Sequence, residues 1–330
     1  MSRGTVIRIV VTLLILAWLC YRINWTELGA TVQSLRVEVW LLALAGGLCV
    51  QVVIGTRWWL LARALGFDDG WFRFVQLYLV GLYFNLFMPS VLGGDVVRAL
   101  YLDSNRGKRP LAMVSVFVEQ STNMLSMMAF GLAAAMVSWK SLEPWMPVLV
   151  LVVCGGALLF SVVVVLSASW MSRKFAAAQS RVGRFVHSYV QSFADAVAVY
   201  RQRKSVFVAS LGLVSVAHTL NFTVTWLIAR SLRIEVEWSY FVIIVPLVAT
   251  LLIVPISISG IGVRETGFGF FLSLRGVSDS GSVSLGLLCF FNLALISSIG
   301  GIFYTVGRFP KLEFKKSSSA PPEAESVTQA

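Results

Sequence analysis

Apolar residues run through this chain in blocks of about 17–25, and that block length sets what the chain can fold into. A helix rises 1.5 Å per residue, so one such block spans a hydrocarbon core of ~30 Å. A soluble core would interrupt the runs with polar residues to cover its water-facing side. Only 13% of the 330 residues are charged and 57% are hydrophobic, against roughly a quarter charged in soluble domains. Mean hydropathy is +0.80. The expected fold class is therefore an all-α polytopic membrane protein. Full spans are read at about 5–21, 39–62, 111–138, 146–169, 205–229 and 283–306. The first block follows Arg3 and Arg8 and runs into Trp18-Leu19-Cys20-Tyr21 without a small-residue cleavage site. It is read as an uncleaved span.

Two further apolar stretches each run straight into a Pro/Gly-rich break. The breaks lie within segments of about 72–104 and 239–276, and both fit Pro-x4-Gly-x3-Arg: Pro89, Gly94, Arg98 and Pro255, Gly260, Arg264. Recurrence after 166 positions reads as the mark of an internal duplication. Charge decides the threading. If both broken segments are re-entrant hairpins and the N-terminus is inside, 20 of the 27 Lys and Arg fall on the cytoplasmic side, Arg57 counted among them. Full crossings would instead move Arg3 and Arg8 outside. Basic residues near span ends favour the cytoplasm. The expectation is about six full spans plus two inverted re-entrant hairpins, with both termini cytoplasmic.

Between the halves, segment 173–204 keeps Phe175, Val182, Phe185, Tyr189, Phe193 and Tyr200 on one face, with basic residues clustered towards its ends. That is the pattern of an amphipathic helix on the inner leaflet. The tail 309–330 is polar and of low complexity, and is expected to be disordered and cytoplasmic. Residues 1–308 form a single transmembrane domain. The net charge of +11 is distributed between apolar blocks, so anionic lipid headgroups, and not nucleic acid, are the expected counterpart. Cys20, Cys49, Cys154 and Cys289 all lie inside apolar blocks without metal-like spacing. No phosphate-cradling loop, paired metal histidines or nucleophile–base set is visible. No cofactor, metal or enzymatic activity is expected.

The candidate site residues cluster at the breaks. In hydrocarbon, a broken helix survives only where protein or a wet cavity satisfies its backbone groups. A helix starting at Gly93-Gly94, or at Gly260-Ile261-Gly262, would aim N–H groups and a positive dipole end at an anion. Arg98 and Arg264 would add planar two-pronged donors suited to phosphate. The structural alternative is that both arginines snorkel to the interface while Asp95 and Glu265 neutralise them. Asp95, Glu119 and Glu265 are acids at membrane depth, where an ionisable group reads as functional by default. Glu119 lies one turn from Asn123, so a helix–helix hydrogen bond is its structural reading. His218, beside Asn221 in the fifth span, reads more readily as a packed histidine than as a proton relay.

The stretch Gly81-Leu82-Tyr83-Phe84-Asn85-Leu86-Phe87-Met88-Pro89-Ser90-Val91-Leu92-Gly93-Gly94-Asp95-Val96-Val97-Arg98 resembles the signature of the lysylphosphatidylglycerol synthase transmembrane-region family. Pro255 to Glu265 is similar to that family's second motif. The resemblance extends over about residues 5–308 and implies a flippase-like domain without the synthase or glycosyltransferase domain that some members carry. It departs at Glu119-Gln120, where the family often has an acid–Arg pair. The resulting functional expectation is an inner (plasma) membrane protein moving a lipid with an anionic or phosphate-bearing headgroup between leaflets. Its expected binding residues are Asn85, Pro89, Gly93, Gly94, Asp95, Arg98, Glu119, Pro255, Gly260, Gly262, Arg264 and Glu265. The alternative is a non-transporting accessory subunit of an envelope-lipid synthase or glycosyltransferase.

Overall fold

The computed structural model describes residues 33–88, 93–103, 108–160, 181–253 and 260–307, with a few isolated positions beyond them. The expected first span, most of 161–180 and the tail from 309 lie outside the described residues. Every regular element among the described residues is helical. In chain order the helices are α1 Val37–Ala64, α2 Trp71–Phe87, α3 Gly93–Asp103, α4 Arg109–Val137, α5 Met146–Phe160, α6 Arg181–Gln202, α7 Lys204–Ser231, α8 Trp238–Ile253, α9 Val263–Ser273 and α10 Asp279–Val306. Helices α1, α7 and α10 are long and apolar enough to cross a membrane. Helix α5 and the Trp238–Leu252 stretch are apolar but shorter. Helix α4 has the length, at 29 residues, but its middle carries the polar run Glu119-Gln120-Ser121-Thr122-Asn123.

Two four-helix units emerge from this list. Helices α1 to α4 have 28, 17, 11 and 29 residues; α7 to α10 have 28, 16, 11 and 28. Val37 to Lys204 and Trp71 to Trp238 are steps of 167, and Gly93 to Val263 and Arg109 to Asp279 are steps of 170. Local chemistry repeats at the same steps. Trp71 Nε1 donates to Thr56 Oγ1 at 2.8 Å, and Trp238 Nε1 to Thr223 Oγ1 at 3.1 Å. Helices α1 and α7 end in the same turn: Phe67 N–H bonds Ala62 O and Gly66 N–H bonds Arg63 O, as Ile234 bonds Ala229 and Arg233 bonds Arg230. Such a turn needs a left-handed residue after the helix. The first unit supplies Gly66 at φ +86°, whereas the second holds Arg233 at φ +61°.

The units interlock in reversed orientation. Helices α1 and α7 pack along their whole length and run antiparallel: Arg36 N–H bonds Ser231 O at 2.9 Å, Gly46 faces Val224, and Arg57 Nε donates to Ser210 Oγ at 3.0 Å. The last helix of each unit crosses the second helix of the other, α10 on α2 and α4 on α8. Glycine makes both crossings possible, because small residues let helix backbones approach closely where apolar burial gives no drive. Gly131 lies against Pro246, and Gly300 and Gly301 lie against Leu79 and Tyr83. Leu79 and Pro246 are themselves one step of 167 apart.

Helix α6 does more than lie on a surface. Ala196 and Tyr200 are buried with Leu61, Ala64, Val114 and Val118, and Phe193 packs edge-on against Phe117, 5.7 Å between centroids. Burial pushes the Tyr200 hydroxyl above its ordinary pKa, so it stays a neutral donor to Leu61 O at 3.2 Å. The face expected to enter lipid through Phe193 therefore docks on α1 and α4, because these helices offer an apolar groove at that end. The side chains of Phe185 and Tyr189, and Phe175 entirely, lie outside the described residues.

A Cβ at Gly300 would overlap the Leu79 carbonyl, whereas Gly212 has open space around it. Gly300→Ala should lower the unfolding midpoint of the detergent-purified protein by the equivalent of roughly 1–3 kcal/mol, the usual cost of overpacking. Gly212→Ala should leave it unchanged or raise it slightly.

Candidate functional site at two helix breaks

The first break separates α2 from α3. Pro89 lies outside the described residues. Asn85, two residues before the end of α2, accepts a hydrogen bond from Gly94 N–H at 2.6 Å. The expected anion-binding amide at the start of α3 is thus already satisfied by a side chain of the same hairpin. Gly94 lacks a Cβ for a steric reason, since one would overlap the Gly81 carbonyl. Gly93 lies against Met88.

One turn into α3, Arg98 is 1% exposed. Its Nε donates to Asp95 Oδ1 at 2.9 Å and its Nη2 to Glu119 Oε2 at 2.7 Å. The guanidinium carbon sits 4.7 Å from the Trp58 ring centroid and 4.9 Å from that of Tyr78, so two aromatic faces hold the same cation. Glu119, fully buried on α4, accepts from a second arginine: Arg57 Nη1 reaches Glu119 Oε1 at 3.2 Å and the Glu119 carbonyl at 3.2 Å. Arg57 also donates to Thr122 Oγ1 and, at 3.0 Å, to Ser210 Oγ on α7. Two arginines and two carboxylates, drawn from α1, α3 and α4 and tied to α7, form one neutral buried network.

Arg57 corrects the charge count used for threading. It is not a loop charge: it lies seven residues before the end of α1 and is 0% exposed. Its neighbours Trp58, Trp59 and Arg63 imitate the aromatic and basic belt of a membrane interface, which hid it. The available signal was its depth, because a basic residue two turns inside an apolar helix demands a buried partner. Glu119 is likewise not paired with Asn123. The nearby Asn123 carbonyl receives His218 Nε2 at 2.8 Å. A carbonyl only accepts, so Nε2 carries the proton. The ring lies 6.0 Å from Phe222 and 6.2 Å from Phe130, a packed histidine.

The second break lies between α8 and α9, and Pro255 is outside the described residues. Gly260 and Gly262 adopt φ +73° and +86°, the left-handed region that favours glycine. Glu265, 1% exposed, turns back so that its Oε2 accepts from Gly262 N–H at 2.6 Å. Here too an internal side chain takes the helix-start amide expected for an anion. One oxygen of Glu265 is thus used by the backbone, and among the described residues the carboxylate makes no ion pair with Arg264. Arg264 is half-buried, its guanidinium carbon is 5.8 Å from the Phe290 ring, and its Nη1 has no partner among the described residues. Gly286 on α10 allows the approach: a Cβ there would stand 2.9 Å from Glu265 Cγ.

The two arginines of the repeated pattern are not structural equivalents. The pattern repeats at 166, but the short helices repeat at 170, which places Arg98 sixth in α3 and Arg264 second in α9. The equivalents are the acids: Asp95 and Glu265 are each the third residue of their helix. Among the described residues, no hydrogen bond or ion pair joins Arg264 or Glu265 to the network around Arg98.

The sequence model of the lysylphosphatidylglycerol synthase transmembrane region matches residues 5–301. The chain belongs to that family. It is also similar to a UPF0104 membrane protein of Methanocaldococcus jannaschii, with 29% identity over 121 residues, 36% of each chain. That match spans about a third of the relative's length. No solved structure matches. Family and apolar helices together make this an integral multi-pass membrane protein.

Removing one partner from a buried ion pair leaves an uncompensated charge and costs roughly 3–5 kcal/mol. Glu119→Leu should show a loss of that order in denaturant unfolding of the purified protein. Combining it with Arg57→Met should recover part of the loss, so that the pair falls short of the summed single effects by ~0.5–3 kcal/mol. Additive losses would mean that the two side chains do not act together.

Proposed function

We propose that this protein moves a lipid with an anionic or phosphate-bearing headgroup between the leaflets of the cell's inner membrane. In this reading α2–α3 and α8–α9 are re-entrant hairpins. Because α1 and α7 run antiparallel, the hairpins enter from opposite leaflets, and both termini are cytoplasmic with about six full crossings. The headgroup passes between the two breaks.

The observation that carries the proposal is Arg264: a half-buried guanidinium at a helix break, with no carboxylate paired to it among the described residues. An isolated charge is costly beside hydrocarbon unless something neutralises it, and a phosphate is the planar guanidinium's natural counterpart. Arg98 has a different task. Its charge is already balanced by Asp95 and Glu119, so it fixes the first hairpin against α1 and α4 while the second hairpin takes the headgroup. Asn85, Gly93 and Gly94 shape the first break, and Gly260 and Gly262 the second.

Reconstitution tests this directly. Liposomes containing purified protein and an acyl-labelled anionic phospholipid should lose label from both leaflets when a membrane-impermeant quencher is added. Arg264→Lys, which keeps the charge but removes the two-pronged donor, should slow the loss by about tenfold, a difference of ~1.4 kcal/mol. Quenching confined to the outer leaflet with the intact protein would overturn the proposal. It would leave the accessory role, in which the protein docks an envelope-lipid synthase or glycosyltransferase without moving lipid.

A further inference from the structure

The second break holds more than a cation. Glu265 uses Oε2 to cap Gly262, but its other oxygen, Oε1, is buried and has no donor among the described residues. The residue is 1% exposed, so this is an acceptor held out of bulk solvent. Glu265 lies against Gly286 and Arg264 against Phe290, one turn apart on α10, and among the described residues Arg264 Nη1 also lacks a partner. The same pairing recurs at the first break. Asp95 Oδ2 has no donor and Arg98 Nη1 has no acceptor, and Asp95 stands at the position equivalent to Glu265. At each break, among the described residues, one buried guanidinium NH2 group and one buried carboxylate oxygen thus lack a partner.

A bare phosphate suits half of that arrangement. It would satisfy the guanidinium but bring its own charge up to a carboxylate. A choline headgroup carries a positive charge yet has no N–H or O–H to give Glu265. A phosphodiester bearing a hydroxyl or a primary ammonium satisfies both groups at once: phosphate oxygen to Arg264, donor to Glu265. Leaving a buried carboxylate oxygen unpaired is costly. A site built to receive a substrate's O–H or N–H discriminates strongly against analogues that lack it.

Resting on the translocation reading, we propose that the transported headgroup carries a hydrogen-bond donor next to its phosphate, received by Glu265 at the second break. Headgroups without such a donor are refused. Ammonium and hydroxyl donors share this chemistry, and the choice between them is read by experiment.

The test uses the full chain in liposomes at about pH 8.5, where phosphatidic acid has lost its P–OH and a primary ammonium keeps its protons. Four probe lipids share one labelled acyl chain: phosphatidylethanolamine, phosphatidylglycerol, phosphatidylcholine and phosphatidic acid. The expected result is that the ethanolamine lipid, the glycerol lipid or both cross at least ten times faster than the other two. Choline lipid or phosphatidic acid crossing as fast as either donor-bearing lipid would overturn the inference while leaving translocation intact. If none crosses, the translocation reading fails. The donor preference is then decided by which of the four stays bound through detergent purification, measured by mass spectrometry; equal retention overturns it. Glu265→Gln can still cap Gly262 but places an amide N–H where the unpaired oxygen was. It should narrow the preference to less than threefold, and an undiminished preference at normal protein abundance would contradict the role of Glu265.

Discussion

Glu119 is the point at which the first half of this protein is held together. Its two carboxylate oxygens receive arginines from two other helices, Arg57 on α1 and Arg98 on α3. Both arginines are buried away from water; Arg98 also pairs with Asp95, whereas Arg57 has no second carboxylate among the described residues. The short helix α3 has 11 residues and follows a break in the chain; Val97, Ala99, Tyr101 and Leu102 bury its apolar face with Trp58, Phe74 and Leu77. In hydrocarbon, apolar contacts with a neighbouring helix are scarcely better than contacts with lipid. A shared carboxylate, two aromatic faces and an i,i+3 contact to Asp95 supply the specificity that apolar packing lacks. A buried network of this kind gives limited net stability, but it is unforgiving of the loss of one member.

The second half shares the frame and lacks the network. At the positions equivalent to Arg57, Arg98 and Glu119 stand Val224, Phe268 and Cys289. Only the acid at the third position of the short helix is retained, as Glu265, and it caps its own helix start. The fold therefore repeats a scaffold while dividing the work between its halves. One hairpin is anchored by internal charge. The arginine of the other, Arg264, makes no ion pair among the described residues, and it and the second oxygen of Glu265 are the groups proposed to meet a headgroup.

Much of the frame was legible in the sequence because the bilayer imposes a length. The spans read at 39–62, 205–229 and 283–306 became Val37–Ala64, Lys204–Ser231 and Asp279–Val306, and the broken segments began at Trp71 and Trp238. Pro and Gly located both breaks. Three things were not legible. Arg57 and Glu119 are 62 residues apart, and no periodicity joins them. The recurring Gly-x3-Arg spacing aligned Arg98 with Arg264, but the second break is four residues longer, so the shared pattern misplaces the arginines by about one helical turn. The amphipathic face of α6 has the same periodicity whether it meets lipid or protein, and only the apolar groove between α1 and α4 decides that Phe193 and Tyr200 turn inward.

The central claim is that the first break is locked by charge and the second is open to a headgroup. Amide hydrogen exchange of the two short helices, in a nanodisc with and without added headgroup-bearing lipid, tests it most directly. Local protection reports the free energy of opening each helix. Residues 93–103 should exchange slowly and ignore the lipid. Residues 263–273 should exchange faster and slow down when the lipid is added. Equal protection of the two helices, with no response to lipid in 263–273, would contradict the account.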